Sequence, residues 1–123
     1  MAGKVVLVVG GGGREHALCM ELERSPHVAE LHCSPGNAGT SRLATNHSIS
    51  ATDIDGLLHL AKTVDADLVV AGPEAPLCAS LADRLEQVGI PCFGPVAKLA
   101  NLEGSKLHAC LLYTSDAADD VRG

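Results

Sequence analysis

Large aromatic side chains are nearly missing from this chain of 123 residues: it has no tryptophan, one tyrosine and one phenylalanine. Its interior must therefore be aliphatic and alanine-rich, and with 46% apolar residues and 13 glycines the composition is that of a single α/β domain. Excess positive charge is missing too. Acids and bases are interspersed, the net charge is -6 and no basic stripe occurs, so neither nucleic acid nor an anionic membrane is an expected partner. The first apolar run, Val5 to Val9, is too short for a signal peptide or a membrane span, and a cytoplasmic setting is expected. No Cys-x-x-Cys pair occurs. The five cysteines, Cys19, Cys33, Cys78, Cys92 and Cys110, are odd in number and widely spaced, which suits buried free thiols in a reducing compartment. His47 and His59 lack metal-ligand spacing, and no metal site is expected.

What is present is concentrated in one stretch, Val5-Val6-Leu7-Val8-Val9-Gly10-Gly11-Gly12-Gly13-Arg14-Glu15-His16-Ala17. Five consecutive β-branched or leucine residues suit a parallel strand buried on both faces. Four glycines allow positive φ and let a ligand approach the backbone closely, so Gly12→Val is expected to strain the backbone and fill ligand space. The helix that follows leaves its first N–H groups unpaired, and its dipole favours an anion there by about 0.3–1 kcal/mol. Arg14 adds a planar two-pronged donor. A cradle for a phosphate-type group is one reading, and close packing of strand on helix is the other. Two common nucleotide signatures do not fit. The sixth position of a dinucleotide fingerprint falls on Glu15 or His16 instead of glycine, and the second strand does not end in an acid. No glycine-lysine-serine or glycine-lysine-threonine run follows Gly13, which excludes the triphosphate loop.

Along the chain, a helix over Glu15–Arg24 carries Leu18 and Leu22 on one face and stops at Ser25-Pro26. His16, in its first turn, reads as a ligand contact or as a surface or capping residue. A second strand over Val28–Cys33 runs into Ser34-Pro35-Gly36-Asn37-Ala38-Gly39-Thr40, which is either an ordinary turn or part of a ligand edge. A short strand is expected over His47–Ser50. Thr52 or Asp53 caps a helix reaching about Val64 with Leu57, Leu60, Ala61 and Val64 on one face. A third strand over Asp67–Ala71 leads into Gly72-Pro73-Glu74-Ala75-Pro76-Leu77, where two prolines hold Glu74 as a fixed acceptor or as a complement to the next helix dipole. That helix has Leu77, Leu81, Leu85 and Val88 at helical spacing and ends at Gly89. A strand over Ile90–Phe93 and a helix near Val96–Leu102 follow. Repeated strand-then-helix units imply a doubly wound parallel sheet.

The glycine stretch, the Pro35–Thr40 loop, Gly72-Pro73-Glu74-Ala75-Pro76-Leu77, Cys92-Phe93-Gly94-Pro95 and Leu102-Glu103-Gly104-Ser105-Lys106, in this order, resemble the N-terminal domain of the phosphoribosylamine–glycine ligase (glycinamide ribonucleotide synthetase) family. The resemblance covers residues 1 to about 109 and implies a Rossmann-like domain that precedes an ATP-grasp domain. It implies 5-phosphoribosylamine and glycine as substrates. By motif, Gly11, Gly12, Gly13, Arg14, Glu15, Asn37, Gly39, Gly72, Pro73 and Glu74 would be substrate-binding residues, with no catalytic residue among them. ATP and Mg2+ or Mn2+ would be bound by the ATP-grasp part, toward which Lys106 leads. This chain alone is therefore expected to be inactive and to hold neither. Residues 110–123 depart from the family pattern and read as an artefactual tail without function. The rival readings are the N-terminal domain of another ATP-grasp purine enzyme and a stand-alone nucleotide- or sugar-phosphate-binding module.

Overall fold

The computed structural model describes residues 3–72 and 75–93. Val6 and Val8 belong to one hydrophobic core, and Leu7 and Val9 to another, because successive side chains of a strand point to opposite faces; all four are fully buried. A strand covered on both sides needs a helical layer on each. Helix α1 (Gly13–Arg24) covers one face with Cys19 and Leu22. Helices α2 (Ile54–Thr63) and α3 (Ala75–Glu86) cover the other with Leu57, Leu60, Ala61, Leu81 and Leu85. The fold is thus the expected α/β sandwich with a doubly wound parallel sheet. Asp53 is the cap of α2, its Oδ1 accepting the Gly56 N–H at 3.0 Å.

The sheet has five strands, β1 (Lys4–Gly10), β2 (Val28–Pro35), β3 (Thr45–Asn46), β4 (Leu68–Ala71) and β5 (Cys92–Phe93), in the order β3-β2-β1-β4-β5, all pairs parallel. The chain steps outward from β1 to β3 and then returns to lay β4 on the other side of β1. That reversal falls between β1 and β4, the kind of switch point at whose carboxyl edge open α/β sheets bind ligands.

Two expectations shift. The short strand lies at residues 45–46 instead of 47–50, pairing only with His32 and Cys33. Pro35 has no N–H with which to continue the ladder, and the fully buried Ser34 hydroxyl replaces it: Oγ faces the carbonyls of His47 and Ile49 at 3.2 and 2.6 Å and accepts the Ile49 N–H at 3.1 Å. Val88, placed on the apolar face of α3 by helical spacing, is 41% exposed. The helix has ended at Glu86, Gly89 turns the chain at a φ of 79°, and Ile90 takes the buried place. The readings at Pro73, Glu74, the Leu77 side chain, Gly94-Pro95, the helix near 96–102, Lys106, Cys110 and the 110–123 tail lie outside the described residues.

Candidate functional site

The carboxyl edge of β1 ends at Gly10, whose φ of 137° is one that L side chains rarely adopt. A Cβ there would also stand 2.7 Å from Cγ and Cδ of Glu15. The four glycines allow positive φ, and within the run Gly10 alone adopts it. Gly12 is extended, with φ -95°, so the backbone strain expected of Gly12→Val is absent, although a Cβ there would approach Glu15 Oε1 to 3.0 Å. Nothing lies within 4 Å of a Cβ built on Gly13. Gly11, Gly12, Gly13 and Arg14 are all exposed, so the approach to the start of α1 is open.

Helix α1 starts with Gly12 as its cap, a residue with no side chain to accept a first-turn N–H. Glu15, only 8% exposed, turns back instead, and its Oε1 accepts the Gly12 N–H at 2.6 Å. Its other oxygen would meet a Cβ on Gly72 at 2.8 Å, and the Gly72 N–H donates to Val9 O at 2.7 Å. Glu15 therefore spans the ends of β1 and β4, and Gly72 must be small because Val9 O would lie 2.5 Å from its Cβ.

The second loop closes on the first. The Gly36 N–H donates to Gly10 O at 3.0 Å, and the Asn37 Nδ2 amide donates to Gly11 O at 2.9 Å and Gly12 O at 3.3 Å. That amide is engaged within the protein, so what Asn37 fixes is the glycine loop. An anion arriving at the helix start meets amides without two bare carbonyl oxygens beside them. A Cβ on Gly39 would lie 2.6 Å from His16 Cε1, so the His16 ring packs on the second loop and is half-buried. The structure thus brings Gly11, Gly12, Gly13, Arg14, Glu15, Asn37, Gly39 and Gly72 to one edge of the sheet.

A model of the "Phosphoribosylglycinamide synthetase, N domain" family matches residues 4–103, a span that includes this whole edge. The chain belongs to that N-domain family. Proteins named phosphoribosylamine–glycine ligase are its relatives: that of Streptomyces coelicolor is 53% identical over 104 residues, that of Caulobacter vibrioides 50% over 101 and that of Rhodopirellula baltica 47% over 110. These alignments take in 85%, 82% and 89% of this chain but 25%, 24% and 25% of the relatives. The N domain spans about a quarter of the length of the proteins it matches.

Beneath the glycine loop of this N domain, Cys33 Sγ lies 3.4 Å from Gly10 O. Its hydrogen bond with Cys19, together with burial, pushes the Cys19 thiol far above its ordinary range. Burial, with Cys78 nearby, pushes Cys92 up to about 12. Cys19, Cys33 and Cys78 are buried and in no disulfide, as expected, and Cys92 is half-buried. Among the described residues no group of three or more His, Cys, Asp or Glu could hold a metal ion. Nor is any described helix long and apolar enough to cross a membrane.

Sequence reasoning missed Thr40 and Asn46. Thr40 is fully buried, and its hydroxyl links Asn37 to Asn46 on β3. The only signal was a threonine closing a turn, which is too common to single out. Also unread was the pair His32 and His47, whose Nδ1 and Nε2 lie 3.0 Å apart, with Glu30 Oε1 3.3 Å from His32 Nε2.

Proposed function

We propose that this N domain is the sugar-phosphate-binding part of a phosphoribosylamine–glycine ligase of purine synthesis. In the proposed reaction ATP activates the carboxylate of glycine as an acyl phosphate, and the amine of 5-phosphoribosylamine displaces phosphate to give the amide, ADP and inorganic phosphate. ATP and Mg2+ or Mn2+ belong, in this proposal, to an ATP-grasp part outside this chain; residues 1–109 form the N domain, and the setting is cytoplasmic. The substrate's phosphate lies at the start of α1 against the amides after Gly12, with Arg14 as the cationic partner. Pro73 and Glu74 are, in this proposal, contacts to the ribose or the amine. One observation carries the assignment: a helix start whose cap residue has no side chain, opened by exposed glycines, stands at the β1–β4 switch point within the span matched by the N-domain family.

A chimera tests it. Residues 4–103 of this chain would replace the matching quarter of the Streptomyces coelicolor ligase, and ADP formation would be followed with each substrate omitted in turn. The expected result is ADP formation that requires both phosphoribosylamine and glycine. A folded chimera that hydrolyses ATP equally without phosphoribosylamine would contradict the assignment.

A further inference from the structure

Asn46 sits on β3, the outermost strand, in register with Cys33. Its side chain is nonetheless joined to the glycine loop through two shared partners. The Asn37 N–H donates to Thr40 Oγ1 at 2.7 Å, and the Thr40 hydroxyl lies 2.9 Å from Asn46 Oδ1 and 3.0 Å from Asn37 O. Asn46 Nδ2 donates to Asn37 O at 2.9 Å, which fixes which end of the Asn46 amide is which. The Thr40 N–H donates back to Asn37 Oδ1 at 2.9 Å. Every polar group of Asn37 is thereby engaged: backbone N–H and C=O by Thr40 and Asn46, side-chain oxygen by Thr40, side-chain nitrogen by Gly11 and Gly12. The Asn46 amide also fills the space a Cβ on Gly36 would need, and Gly36 has a φ of 75°.

We infer that Asn46 and Thr40 are positioning residues for the glycine loop: their closed ring of hydrogen bonds fixes Asn37, which in turn sets the Gly11 and Gly12 carbonyls and the amides that receive a phosphate. Neither side chain needs to touch the ligand. A buried hydroxyl and a carboxamide bonded through both its oxygen and its nitrogen hold one rotamer of Asn37, and a loop without side chains of its own takes its geometry from that rotamer. The binding half of this inference rests on the sugar-phosphate reading above; the positioning half does not.

The test uses the 123-residue chain with ribose 5-phosphate as probe, following backbone amide shifts by NMR. Thr40→Val and Asn46→Leu should each move the amides of Gly11, Gly12 and Gly13 in the ligand-free chain and weaken the probe about tenfold. Thr40→Ser, which keeps the hydroxyl, should restore the wild-type glycine shifts and bind within about twofold, separating positioning from loss of fold. Unmoved glycine amides with undiminished affinity in folded Thr40→Val or Asn46→Leu would overturn the inference. Glycine amides that move in the variants while the wild-type chain ignores the probe would uphold positioning and overturn the sugar-phosphate reading.

Discussion

The two loops at the carboxyl edge of the sheet are ordered in opposite ways. The loop after β1 is Gly10 to Gly13, with no side chains of its own, and it is fixed by groups from elsewhere: Glu15 on its amide side, Gly36 and Asn37 on its carbonyl side. The loop after β2 carries Asn37 and, opening a single turn of 3-10 helix at Thr40–Arg42, Thr40, and these bond to each other and to Asn46 on the β3 strand that follows. Residues that leave room for a ligand cannot also supply the bonds that hold a loop still. The division of labour resolves this: an open loop presents amides, and its self-supporting neighbour holds it in place.

The strongest way to break that comparison is Gly10→Val. It combines a forbidden φ with a contact onto Glu15, and about 3 kcal/mol of stability should be lost, read as a fall in the denaturant midpoint at unchanged slope. Next is Glu15→Ala, which removes the only side chain described as accepting from the loop's amides. It should cost about 1–2 kcal/mol by thermal or chemical unfolding, with Glu15→Gln recovering much of it.

Gly13→Ala sharpens the comparison by moving stability and binding in opposite directions. Its Cβ meets nothing within 4 Å and its backbone is helical, so stability should rise by about 0.5–1 kcal/mol while ribose 5-phosphate binding weakens. A loop that served packing alone would gain the stability and show no binding to lose.

The smallest effect concerns the strand end that follows the second loop. Burial first, and then His32, holds the His47 imidazole below its ordinary 6.5, and the Glu30 carboxylate lies on the far side of His32. The unfolded chain therefore takes up that proton before the folded one as pH falls. Stability is full above 6.5 and declines from there down through the lower folded value. Melting temperatures measured across this window should show the decline, and His47→Gln should flatten it.

Much of the fold was legible because its signals are periodic. The Val5–Val9 run faces two cores, Leu57, Leu60 and Ala61 share one side of α2, and Leu81 and Leu85 one side of α3. What failed was local and short. The β3 strand has two rungs, too few to leave a pattern, and a serine hydroxyl replaces the ladder where strand had been expected. Val88 fell past a helix end, where a spacing of 3.6 residues no longer says which way a side chain points. At the site, the gathering of the glycines and Asn37 on one edge of the sheet could be read from the loops that follow each strand. The direction of Glu15 into the protein and the ring through Thr40 and Asn46 could not, because hydrogen-bond partners far apart in sequence have no fixed spacing.

The most direct measurement is a titration of the wild-type chain with ribose 5-phosphate, read at every assigned backbone amide and repeated at higher salt. Shifts centred on Gly12, Gly13, Arg14 and Glu15, saturable and weakened by salt, are the predicted result. Saturable shifts centred on the groove of about 360 Å³ lined by Glu30, His32, Arg42 and Thr45, with the glycine amides unmoved, would contradict it.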